Sequence, residues 1–176
     1  EVNDLLEYFN FAHKKDVFKS WYDGYQIGDK EIYCPWDVVS YLSALVAIPS
    51  VSPLPYWKNT GSLDLLKSIY AKSPDLYASD VAKLLNHEAI EKELDEGISF
   101  VDLATNNNPN YFWTLLFSAG YLTVTDDYVY GSTSRLIIPN RCVYDCFKEI
   151  KDWSFSKNNT SFVNTRNKLL QAIFEG

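Results

Sequence analysis

Apolar residues in the first fifth of the chain fall on adjoining helical positions, Leu5, Leu6, Tyr8 and Phe9 among them. The pattern predicts one or two helices over 1–21, closing at Trp21-Tyr22-Asp23-Gly24-Tyr25, where Asp-Gly signals a turn. Gly28-Asp29 marks a second turn, followed by a short extended piece, Glu31 to Cys34. Pro35 suits the first turn of a new helix running through Leu42. Three prolines make 48–57 an irregular connection. A helix from Leu63 to Ala71 carries Leu63, Leu65, Leu66 and Ile69, and Ser73-Pro74 stops it. Residues 74–95 read as one further helical block with a break. Ser79-Asp80 is its candidate cap, ahead of Val81, Leu84 and Leu85.

The last third changes period. Pro109 to Ser118 is an apolar helix (Tyr111, Phe112, Leu115, Leu116) closed by Gly120. Residues 122–125, 128–130 and 134–138 alternate as strands, with a turn around Asp126-Asp127. Pro139-Asn140 ends the sheet and opens a helix to about Trp153, and a polar joint leads to a last helix. Helix, hairpin, helix is the layout of a winged-helix unit. The expected fold is mainly α with a small antiparallel β-wing.

Composition adds limits. The 176 residues are 47% hydrophobic and 22% charged, enough apolar surface for one domain or two small ones. Thirteen Tyr, ten Phe and five Trp point to broad packing surfaces, some available to a partner. Met is absent even at position 1, which reads as a chain processed or cut from something longer. The net charge of −7, with no run among the 16 Lys and Arg, argues against nucleic acid. No uncharged apolar window reaches the length of a membrane span, and no charged-then-apolar leader opens the chain. Together these predict a cytoplasmic setting with reduced thiols.

Catalytic chemistry finds little to build on. There is no G-x-x-x-x-G-K-[ST] and no G-x-G-x-x-G, and only seven glycines. His13 and His87 lie outside any nucleophile-elbow or metal-ligand spacing, and His87 falls in a helix-like segment beside Glu88. Cys142 and Cys146, four apart on a helix, read as small buried hydrophobes. The acidic cluster Glu88, Glu91, Glu93, Asp95 and Glu96 lacks calcium-loop geometry and reads as a solvated helix face. The helix before the wing carries no basic residue, and the wing offers Arg135 against Asp126 and Asp127, which argues against DNA contact. No catalytic, cofactor or metal residue is assigned.

Five strings, in order across nearly the whole chain, resemble one family. They are Trp21-Tyr22-Asp23-Gly24-Tyr25; Ile32-Tyr33-Cys34-Pro35-Trp36-Asp37-Val38-Val39; Tyr56-Trp57-Lys58-Asn59-Thr60-Gly61; Phe112-Trp113 through Leu116-Phe117-Ser118-Ala119-Gly120-Tyr121-Leu122-Thr123; and Leu136-Ile137-Ile138-Pro139-Asn140. They are similar to segments of the bacterial AAA-ATPase-like family that usually carries a C-terminal PD-(D/E)XK nuclease-like domain. Cys34 stands where that family has Asn, Gly61 where it has Ser, and Arg141-Cys142-Val143 where it often has Glu-Val.

The resemblance implies a helical lid over 1–72, a winged-helix-like unit over 73–156 and a linker helix over 157–176. It implies partners in the same parent chain, an N-terminal ATPase core holding ATP with a divalent cation and a C-terminal nuclease-like domain, besides a homo-oligomer or other protein partner. The candidate interface or nucleotide-facing residues it supplies are Trp21, Tyr22, Asp23, Gly24, Tyr25, Trp36, Trp57, Asn59, Thr60 and Asn140. The competing reading of the first string is structural, an Asp-Gly turn clamped by aromatic packing. The rivals for function are a stand-alone interaction module and a DNA-binding winged helix.

Overall fold

A computed structural model describes residues 1–60, 62–95, 97, 109–125 and 132–152, except for the side chains of 59, 60, 62, 63, 65, 66, 72 and 109. Two helices open the chain, α1 (Val2–Tyr8) and α2 (Lys15–Tyr22), joined by a 3-10 turn at Ala12–Lys14. A hairpin follows, β1 (Tyr25–Ile27) against β2 (Lys30–Ile32), with Ile27 opposite Lys30. Its two-residue loop is Gly28-Asp29, and Gly28 takes the positive φ of 58° that such tight loops require. Pro35 occupies the first turn of α3 (Pro35–Ala47), where its missing N–H removes no helical bond. The prolines after it leave an irregular connection, which ends in a 3-10 turn at Tyr56–Thr60.

Next come α4 (Ser62–Lys72) and α5 (Pro74–Leu85). Pro74 again starts a helix, so the cap position is Ser73, and Ser79-Asp80 lies inside α5 rather than capping it. The helical block expected over 74–95 is likewise corrected. Its second half is β3 (Ile90–Glu93), pairing antiparallel with β5 (Thr133–Ile137). The acidic cluster therefore sits on a strand and its flanks, not on a helix face, with Glu91 opposite Arg135; Glu96 lies outside the described residues. His87 is corrected too. It stands in the turn that ends α5, at φ 62°, and its ring stacks on Tyr144 at 5.1 Å.

After α6 (Pro109–Ser118) the chain forms β4 (Thr123–Val124) and then β5, which lies at the centre of a β3-β5-β4 sheet. The strand expected over 128–130 and the helix expected near the C-terminus fall outside the described residues. Helix α7 covers 141–152. The protein is mainly helical with a small antiparallel wing.

Two apolar clusters hold this arrangement. The first gathers Leu6, Phe18, Tyr22, Val38, Tyr41, Leu42 and Leu45 from α1, α2 and α3. The second gathers α5, α6, the three-stranded sheet and most of α7 around Trp113, Leu116 and Leu136, with Tyr70 of α4 among them. Helix α7 serves both, since Cys142 packs in the first while Val143, Cys146, Phe147 and Ile150 pack in the second. The two Cys behave as small hydrophobes at the join.

Candidate functional site

The strings that carry the family resemblance meet where the two clusters touch. Tyr22, the last residue of α2, is fully buried, and its hydroxyl donates to the Leu54 carbonyl at 3.0 Å and accepts from the Leu54 N–H at 3.2 Å. That pair anchors the proline-rich connection, which has no secondary structure of its own to satisfy its backbone. Asp23 is extended, and Gly24 follows at φ 97°. A Cβ on Gly24 would lie 2.2 Å from the carbonyl oxygen of Pro139, so the turn seats directly on the end of the wing.

Asn140 locks it there. Its Nδ2 donates to the Asp23 carbonyl at 2.9 Å, and its Oδ1 accepts from the Val143 N–H at 3.1 Å, capping α7. One residue further along the first string, the Tyr25 hydroxyl donates to the Gly120 carbonyl at 3.1 Å, and burial pushes its pKa up. The neighbouring Gln26 N–H donates to Thr123 Oγ1 at 2.9 Å, tying β1 to the first residue of β4.

Asn140→Ala removes both side-chain bonds at once. The expected loss is about 2 kcal/mol, a helix cap plus one buried bond. Asn140→Asp keeps the capping acceptor and loses only the donor toward Asp23, so it should retain roughly half of that stability. Denaturant unfolding of the two variants beside the parent checks the ranking; equal losses would contradict it.

A second knot lies beside the first. The Asp37 carboxylate is 2% exposed in the first turn of α3. It accepts from the Trp57 backbone N–H at 2.9 Å and faces Cys142 Sγ at 3.9 Å. Burial raises its pKa, opposed by hydrogen bonds from the Cys34 thiol, the Trp57 and Tyr56 N–H groups and the Cys142 thiol. Burial also pushes the Cys34 thiol to about 11 and moves Cys142 up further, so neither is held as a thiolate. The Trp57 ring packs on Tyr121 at 4.6 Å and covers the side of Gly120.

Asp23, Tyr25, Trp57 and Asn140 thus all serve one seam, with Gly24 at its tightest point. Asp23 keeps one buried oxygen, Oδ1, without a hydrogen-bond partner, while burial, reinforced by the Asp23 carboxylate, raises the Tyr33 phenol. Trp21 lies at the rim, where the guanidinium of Arg141 covers its ring at 4.9 Å. Trp36 stands apart and is 61% exposed on α3. The side chains of Asn59 and Thr60 are outside the described set.

The sequence places Asp37 inside a resembling string and Arg141 just after another, and it singles out neither as a candidate site residue. An acid in the first turn after Pro-Trp reads as an ordinary helix-start residue, and only the fold shows that it faces inward. Among the described residues, no three His, Cys, Asp or Glu side chains are grouped to hold a metal, and no helix is long and apolar enough to cross a membrane. The seam has the chemistry of a joint: paired amides, a glycine contact and tilted, close-packed rings. The Asp37 carboxylate beside it is occupied by backbone and thiol donors.

Comparison of the chain with models of known families, with curated proteins and with solved structures finds no match.

Proposed function

We propose that this chain is a non-catalytic lid and adaptor segment of an AAA-ATPase-like protein, coupling a nucleotide-binding core elsewhere in the parent to a nuclease-like effector domain. The observation that carries this reading is the seam itself. The resembling strings, dispersed from Trp21 to Asn140, fold onto one another and bolt the α1–α3 unit to the winged-helix-like unit through Gly24 against Pro139 and Asn140 on Asp23. A displacement imposed on the first unit is then carried to the second, because close-packed interfaces move as bodies rather than deform. In this reading ATP and a divalent cation bind in the core, and the setting is cytoplasmic.

A DNA-reading role gains no support from α6. Phe112, Trp113, Leu115 and Leu116 are buried in the second cluster, and the Thr114 hydroxyl accepts from the Asp95 N–H at 3.1 Å. The face such a helix would lay in a groove is spent on the core. The stand-alone interaction module has one specific observation in its favour, the exposed apolar stripe on α3.

Calorimetric titration with ATP and Mg²⁺ of this chain, and of a version extended toward the parent's N-terminus, tests the lid reading. Binding is expected only for the extended protein. Micromolar binding by the chain alone would sink the lid reading, and binding by neither would favour the interaction module.

A further inference from the structure

Helix α3 is amphipathic in an unusual sense, for its outer face is apolar and uncharged. Trp36, Val39 and Val46 are all more than half exposed, and Ser43 stands exposed between the two valines. Positions 36, 39, 43 and 46 are spaced three, four and three apart, the spacing of the seam between two packed helices. The one charged residue of α3 is Asp37, and it points into the core.

From this face we infer that two copies of the chain associate, α3 against α3, antiparallel about a two-fold axis near position 41. Three observations select a second copy over another occupant. The first is charge. The chain carries −7, so two copies repel on approach, whereas the four residues of this stripe are uncharged.

The second is shape. A two-fold axis at position 41 sets Trp36 opposite Val46 and Val39 opposite Ser43, so each large side chain meets a smaller one and the pattern is self-complementary. The third is polar satisfaction. The only hydroxyl on the four seam positions, Ser43 Oγ, already donates to the Val39 carbonyl at 2.8 Å, so covering it strands no donor. The 13 residues of α3 make a contact only about 20 Å long. That is small beside a standard interface, so the dimer is weak and concentration-dependent. The association stands independently of the lid reading.

Sedimentation velocity on the whole chain across about 1–300 µM tests it, the range in which a weak interface populates its dimer. The expected result is a shift from 20.2 kDa toward twice that mass as concentration rises. Val39→Lys and Ser43→Glu alter exposed positions, so each should keep the parent's helical circular dichroism and melting temperature. Each alone is expected to remain monomeric over the range. An equimolar mixture of the two should dimerise again, because position 39 of one copy faces position 43 of the other. The proposal is overturned by a parent chain that stays monomeric throughout, by variants that dimerise like the parent, or by a mixture that fails to recover the dimer.

Discussion

Gly24→Ala should destabilise the protein by more than about 3 kcal/mol, placing it among the severe single substitutions. Two terms add. An L-residue held at φ 97° carries about 1–2 kcal/mol of backbone strain. The added methyl would also lie 2.2 Å from the Pro139 carbonyl oxygen, and that neighbour is backbone, which cannot swing aside as a side chain would. Relief requires the turn to lift off the wing, which breaks the Asn140 bond to the Asp23 carbonyl. Gly28→Ala is the natural control. Its φ is also positive, at 58°, but nothing lies within 4 Å of its Cβ position, so a loss of only about 1 kcal/mol is expected. Urea unfolding of the two variants reads the difference directly. If they lose the same stability, the close contact between the Asp-Gly turn and the wing is wrong.

Trp113→Ala is expected to cost about 3–5 kcal/mol, the usual range for deleting a fully buried large aromatic. Trp113 is 2% exposed and meets Phe112 at 5.1 Å and Tyr77 at 6.0 Å, while Lys92 lies over its ring at 5.1 Å. The substitution also separates two views of α6. A helix presenting this face to a nucleic acid would tolerate the change with little loss of stability; a helix whose face is core would not. Near-parental stability, measured by the denaturant midpoint with an unchanged m-value, would remove α6 from the core. Because α7 packs in both clusters, the loss should appear in one unfolding transition rather than two.

Much of the local structure could be read from the chain because its signals are local. Pro35 announced α3 by its fixed φ and missing donor, and Gly120, at φ 76°, closed α6 where a glycine was expected to. The segment 90–93 misled for an equally physical reason. Ile-Glu-Lys-Glu has the charged composition of an exposed helix, and its strand state comes from pairing with Thr133–Ile137, some forty residues away. No window along the sequence contains that partner. His87 falls in the same helix-like segment beside Glu88, although it occupies the left-handed turn that ends the helix.

For the candidate site the division is similar. The sequence by itself determined the local form of these segments: an Asp-Gly turn between aromatics, a Pro-Trp-Asp helix start and a Pro-Asn stop, each a short-range constraint on φ, on donors or on packing. Only the tertiary structure decided what they do together. It set Gly24 against Pro139, turned Asp37 inward to the Trp57 N–H, and left Trp36 outside on α3. The reason is one of range. Dihedral preferences act within a few residues, whereas the burial of a carboxylate or the approach of two backbones depends on segments from 20 to 117 residues apart, brought together by shared apolar cores.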